Sequence, residues 1–178
     1  MLIRVVCVMV GEAVGIREAD QDADVLACLI REAFHDVARR FSLTQDNCPK
    51  HPSNCTADWI RADRARGARY FVFLQNGVPA GCVGLEAAGA SLCYLERLAV
   101  LPAHRGQGFG RALVGHALLQ AEALGACRVS VGIIAAHTEL KHWYLKLGFV
   151  ETETRDFIHL PFQVTFLEHV AAGRRSHR

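Results

Sequence analysis

Apolar positions change their spacing along the chain, and each change marks an element. Residues 16–19 form a short strand candidate, ended by the polar run Asp20-Gln21-Asp22. Val25, Leu26, Leu29, Ile30, Ala33, Phe34 and Val37 then recur on one helical face, with Asp20 or Asp22 placed to cap the first turn. Residues 41–55 carry no period and read as a loop, and residues 56–66 read as a second helix stopped at Gly67. From residue 70 the pattern becomes that of strands. Residues 70–74 and 78–86 flank Asn76-Gly77, a strong hairpin signal, and residues 92–100 follow a second turn, giving an antiparallel meander.

Pro102 closes the meander. Leu113, Val114, Ala117, Leu118, Ala121 and Leu124 mark one face of a helix that ends at Gly125. Residues 128–134 read as a strand and 137–147 as a helix terminated by Gly148; 149–157 and 162–169 read as a last strand pair. The order β-α-α-β-β-β-α-β-α-β-β, without repeat or internal linker, predicts one α/β domain over residues 14–170. Residues 1–13 are an N-terminal extension or an extended first strand, and 171–178 a basic, solvated tail.

Composition adds exclusions. The 178 residues carry a formal charge of +2, so bulk electrostatics point to neither nucleic acid nor membrane as a partner. No apolar stretch approaches the roughly 20 residues of a membrane span. The seven cysteines are odd in number and scattered, which suits a reducing, cytoplasmic setting rather than a disulfide framework. Cys48, His51 and Cys55 share one loop but have no clean fourth ligand, so no metal is expected.

The chemistry concentrates in Arg105-Gly106-Gln107-Gly108-Phe109-Gly110-Arg111, between a strand and a helix. Glycines let a ligand approach the backbone, and the free N–H groups of a first helical turn attract phosphate. Arg105 and Arg111 bracket the turn and can add charge-assisted hydrogen bonds. Neither the dinucleotide spacing G-x-G-x-x-G nor the Gly-Lys-Ser/Thr of a triphosphate loop is present.

With Arg105, Gly108 and Gly110 at its fixed positions, the turn resembles the Arg/Gln-x-x-Gly-x-Gly/Ala cofactor motif of the GNAT acetyltransferase superfamily. Trp143-Tyr144-Leu145-Lys146-Leu147-Gly148-Phe149 resembles that family's L-Y-x-K-L-G-F ending, and the element order from residue 16 agrees as well. The resemblance implies an α/β fold with a mixed, mostly antiparallel central sheet, splayed fourth and fifth strands (residues 92–100 and 128–134) and about four flanking helices. It implies acetyl-CoA as acyl donor, entering the wedge like an extra strand. Its pyrophosphate would lie on residues 105–111, its pantetheine arm on Leu98 and Val100, and its thioester carbonyl near an N–H of Leu98 or Ala99.

The same resemblance makes Tyr144 the candidate acid beside the sulfur and Glu96 the candidate base, with Glu86, His137 or water as alternatives. His137 stands where many members carry Asn, and it remains a candidate cofactor contact. His137, Lys141 and Tyr144 are spaced to share one helix face. Asp46 and His51, in the long loop, are the candidate acceptor-binding residues. The expected activity is transfer of an acetyl group to a primary amine on a small molecule or peptide, in a direct ternary complex. The alternative is a non-catalytic acyl-CoA-binding domain, and a homodimer is left open.

Overall fold

A computed structural model describes residues 14–171; the expected extension at 1–13 and the tail beyond 171 lie outside the described residues. The elements are β1 (Gly15–Glu18), α1 (Ala23–Arg40), α2 (Ala57–Ala65), β2 (Arg69–Gln75), β3 (Val78–Ala87), β4 (Leu92–Val100), α3 (Phe109–Ala123), β5 (Arg128–Ile134), α4 (Thr138–Lys146), β6 (Val150–Arg155) and β7 (Val164–Val170), with single 3-10 turns at Pro52–Asn54 and Pro102–His104. Their order is the expected one, and the sheet is mixed and mostly antiparallel. None of the described helices is long and apolar enough to cross a membrane.

The helix ends differ in detail from expectation. Asp22 is the N-cap of α1, but its carboxylate makes no capping bond and instead pairs with Arg17 at 2.8 Å. Thr56 does cap α2, its hydroxyl accepting from the Trp59 N–H at 3.4 Å. Helix α3 starts at Phe109, four residues before its apolar face becomes visible in the sequence, because Gly108 takes φ +86° and turns the chain directly into the helix.

The seven strands lie in the order β1-β2-β3-β4-β5-β7-β6, and only β4 and β5 run parallel. Each face of the sheet carries its own apolar core. Alternation along β2 sends Phe71 and Phe73 to one face, under α3 with Leu113, Val114 and Ala117, and sends Tyr70 and Val72 to the other, against Leu26, Ile30 and Ile60 of α1 and α2. Tyr144 of α4 and Phe149 belong to the first core.

Strands β3 and β4 approach closely because β3 carries glycine at two contact points. A methyl group on Gly81 would lie 2.8 Å from the Ala99 carbonyl oxygen, a backbone atom that cannot yield cheaply. Gly115, inside α3, has nothing within 4 Å of the same position. Gly81→Ala is therefore expected to destabilise the fold by about 1–3 kcal/mol, whereas Gly115→Ala should stabilise it by up to about 1 kcal/mol. Denaturant melts of the two variants against wild type measure the opposite signs.

Candidate active site

Strands β4 and β5 pair only through Leu92↔Arg128, Cys93↔Val129 and Tyr94↔Ser130. Beyond those pairs they diverge, and the facing edges of residues 95–100 and 131–134 line a cleft of about 1090 Å³. The divergence coincides with a β-bulge. Cys82 pairs with Ala99 and Gly84 with Glu96, so Val83 alone opposes both Arg97 and Leu98. Arg97 is left in the left-handed region at φ +48°. An extra residue in one strand bends it and increases its twist, which carries β4 away from β5.

The bulge places the Arg97 side chain on the α2 face of the sheet. There its guanidinium contacts both the Asp63 carboxylate and the Tyr70 hydroxyl. Tyr70 donates to Asp63 at 2.6 Å, and Arg66 donates to the other Asp63 oxygen at 2.8 Å. The Asp63 side chain is only 4% exposed, so these donors replace the water it has lost.

At the mouth of the cleft the glycine turn divides its labour. Gly106 and Gly108 take φ of +77° and +86°, leaving exposed backbone at the start of α3. Gly110 has an ordinary φ, and a methyl group there would meet the Trp143 ring at 3.2 Å; it lets α3 and α4 approach. The Arg105 guanidinium, expected to add hydrogen bonds to phosphate, lines the cleft but is already engaged. It is committed to the protein, bound to the Asp36 carboxylate, to the Ala33 carbonyl at 2.6 Å and to the Val100 carbonyl at 3.1 Å. Arg105 thus ties α1 to the turn. Arg111, exposed in the first turn of α3, has no ion-pair or hydrogen-bond partner among the described residues and lines the cleft. Gln107 donates to the Ala103 carbonyl at 3.3 Å and contributes no lining atoms.

Deeper in, Leu98, Ala99 and Val100 form one wall, with Glu96 and Tyr144 beyond them. Burial, then the neighbouring Glu86 carboxylate, pushes the Glu96 pKa above the ordinary carboxylate value, while Arg66 partly offsets both. Tyr144 is 2% exposed, its ring edge-on to Trp143 and Phe149 at centroid distances of 5.0 and 5.1 Å. Burial alone pushes its phenol pKa up, and the phenol stays protonated. His137 lines the cleft as the N-cap of α4, its Nδ1 accepting from the Leu140 N–H at 3.4 Å. Burial and the Arg40 charge hold its pKa down. Lys141 is not on the cleft; it pairs with Glu151 at 3.1 Å, so the expected common face of His137, Lys141 and Tyr144 is not shared inside the site.

The two loop candidates part company. His51 is 6% exposed and lines the cleft, its ring edge-on to Phe34 at 5.8 Å and its Nδ1 within 2.8 Å of the Ser53 hydroxyl. Burial lowers its pKa to about 4, so it is neutral near pH 7. Asp46 is exposed and lies off the cleft lining, because the loop turns outward there on the Thr44–Asn47 hydrogen bonds. No three His, Cys, Asp or Glu side chains converge as a metal site among the described residues.

Sequence reasoning missed the Arg97–Asp63–Tyr70 network. One trace of it was present: Asp63 follows Ile60 by three residues, a carboxylate on the buried stripe of a helix. It also missed Arg40, whose Nη2 donates to both carboxylate oxygens of Glu139 at 2.9 and 3.0 Å, linking α1 to α4.

Residues 30–149 match the model of the acetyltransferase (GNAT) family. A curated relative, an amino-acid acetyltransferase from Ralstonia nicotianae, is 33% identical over 94 residues; these are 50% of this chain but 19% of that protein. Among solved structures, a GNAT family acetyltransferase from Elizabethkingia anophelis with acetyl-CoA bound has a TM-score of 0.64 at 15% identity, over 88% of this chain and 97% of that one. An acetyltransferase from Streptococcus agalactiae has a TM-score of 0.68 at 15% identity, over 88% and 98%. At these identities the likeness of the structures is one of fold.

The two carboxylates that meet arginines near the cleft should differ sharply in weight. Asp63→Ala leaves a buried guanidinium and phenol without their partner, and is expected to cost about 3–5 kcal/mol. Asp36→Ala removes a half-exposed pair and should cost about 1 kcal/mol or less. Urea denaturation at neutral pH distinguishes them; equal losses would show that the Asp63 network is not the anchor described above.

Proposed function

Because the chain belongs to the GNAT acetyltransferase family, we propose that it moves an acetyl group from acetyl-CoA to a primary amine by direct attack, with both substrates bound together. The observation that carries this reading is the cleft itself. An unpaired strand edge runs from a glycine turn at a helix N-terminus to a half-buried carboxylate and a buried phenol. A long ligand with phosphates at one end and a reactive carbonyl at the other fits that sequence of groups. The exposed backbone at Gly106 and Gly108, open on the side where a Cβ would stand, suits a pyrophosphate.

Acetyl-CoA supplies an acyl group already activated as a thioester. The chain's part is placement and proton handling. Arg111 holds phosphate oxygens, and the backbone of Leu98 and Val100 receives the pantetheine arm as an added strand. An N–H at Leu98 or Ala99, set by the bulge, polarises the carbonyl to be attacked. Glu96 accepts a proton from the incoming amine; neutralising a free amine at pH 7 costs about 4 kcal/mol, which a nearby base offsets. Tyr144 donates a hydrogen bond to the departing sulfur. Its raised pKa makes full proton transfer to a thiolate uphill, so the phenol stabilises the leaving group chiefly as a hydrogen-bond donor. Holding both reactants together contributes several further kcal/mol.

Release of free thiol from acetyl-CoA that depends on added amine tests the activity. Arg111→Ala should raise KM for acetyl-CoA roughly tenfold, the weight of one charge-assisted hydrogen bond, with kcat and thermal stability near wild type. An unchanged KM would remove Arg111 from the phosphate site.

Glu96 must be ionised to take the proton, and its pKa lies above the ordinary carboxylate value. The rate kcat/KM for the amine should therefore fall as pH drops through that raised pKa. Glu96→Gln should abolish this acid limb and slow the reaction by about a hundredfold or more. A limb that survives the substitution assigns the base elsewhere.

A further inference from the structure

We infer that the acceptor is an amine bearing a single positive charge and an aromatic or branched hydrocarbon body, without a carboxylate of its own. The inference rests on the acyl-transfer reading above and specifies which amine that site takes.

Strand alternation separates the two sides of the cleft. Leu95, Val131, Ile133 and Leu167 lie in the core under α3 and α4. Their neighbours Tyr94, Glu96, Gly132, Ile134, Val164 and Phe166 consequently face the α1 side. Register supports this, since Gly132 pairs with Phe166 and Ile134 with Val164 across β5 and β7. Opposite this floor stand Phe34 and Val37 of α1, with Pro52 from the loop. The donor's phosphate turn opens from α3, so this second, α1-facing chamber is left for the acceptor.

The chamber is apolar by construction. A methyl group on Gly132 would meet Val164 at 3.2 Å and the Phe166 ring at 3.3 Å, so the glycine makes the space in which that ring lies on the floor. His51 contributes a neutral ring, edge-on to Phe34 and anchored through Nδ1 to Ser53.

Charge accounting on the cleft then limits the acceptor. Two carboxylates line it, Asp36 and Glu96, and Asp36 is paired with Arg105. Glu96 alone remains to meet an ammonium, and a second ammonium on the same molecule would find no carboxylate. Four arginines line the cleft. Arg97 and Arg105 are paired with Asp63 and Asp36, and Arg40 is held by both carboxylate oxygens of Glu139. Arg111 lies at the phosphate end. In the α1-facing chamber an acceptor carboxylate would therefore face apolar walls and arginines already paired, with unpaired Arg111 away at the phosphate end.

The test uses the full chain with acetyl-CoA and four acceptors: 2-phenylethylamine, isoamylamine, spermidine and glutamate. The two hydrocarbon amines should exceed the other two in kcat/KM by roughly tenfold to a hundredfold, the weight of burying one large apolar side chain. Phe34→Ala and, separately, Val37→Asp should erase that preference by raising KM for the amine while KM for acetyl-CoA holds. Two variants at solvent-accessible wall positions guard against one failing to fold. Spermidine or glutamate as the preferred acceptor overturns the inference and leaves acyl transfer standing. So does acetyl-CoA binding in calorimetry with no turnover of either hydrocarbon amine. If acetyl-CoA itself does not bind, the failure is that of the acyl-transfer reading.

Discussion

Arg97 occupies the left-handed backbone region in the middle of a strand, a conformation that costs a non-glycine residue on the order of 1–2 kcal/mol. The surroundings favour it all the same. With the extra residue in β4 the guanidinium reaches Asp63 and Tyr70 on the α2 face, and the buried carboxylate gains a second arginine beside Arg66. An Asp63 without that partner would keep only the half-exposed Arg66 as counter-charge, and losing a buried ionic partner costs more than the backbone strain. The bulge is thereby the lower-energy arrangement. The divergence of β4 from β5, the unpaired edge along residues 95–100 and the orientation of Leu98 and Ala99 all follow from it.

A second set of ion pairs, weaker singly, gives the cleft its roof. Arg105 joins the turn before α3 to Asp36 and the Ala33 carbonyl, and Arg40 joins the end of α1 to Glu139 at the start of α4. The C-terminal half of helix α1 is thus fastened both to the glycine turn and to the start of α4. The pairs are exposed and each contributes little to global stability. Their role is geometric: they hold Phe34 and Val37 over the α1-facing chamber. Side chains at one end of the cleft therefore depend on the same helix that orders the turn at the other.

The strands, the helices and the glycine turn were legible in the sequence because each rests on local pattern. Period, Asn-Gly, Pro102 and the alternate glycines act within a few residues. Glu96, Tyr144 and Leu98, named through the family resemblance, do line the cleft. What escaped was whatever depends on contacts remote in sequence. Arg97 pairs with Asp63 and Arg105 with Asp36, across an intervening strand pair or more. The guanidinium of Arg105 looked like a phosphate ligand because its position in the motif is fixed, while its partner on α1 is invisible to spacing. Arg111, read alongside it as bracketing the turn, is the opposite case and has no partner among the described residues. Within residues 41–55, Asp46 and His51 were indistinguishable as polar loop positions, yet Phe34 draws one ring inward and the Thr44–Asn47 turn carries the other side chain out.

The short register between β4 and β5 has a mechanical consequence. Strands β1 to β4 and strands β5 to β7 form two plates, and among the described residues the strand pairing between them is three residue pairs at one end, beside the Ser91 carbonyl that accepts from the Cys127 and Arg128 N–H groups. Such a sheet is shaped like a clothes-peg, its two jaws joined at one end and open along residues 95–100 and 131–134. A ligand lying along the open edges as an additional strand would supply the missing rungs. The apolar core under α3 already joins both plates through side chains, so such a ligand would add backbone coupling across a seam that packing alone spans.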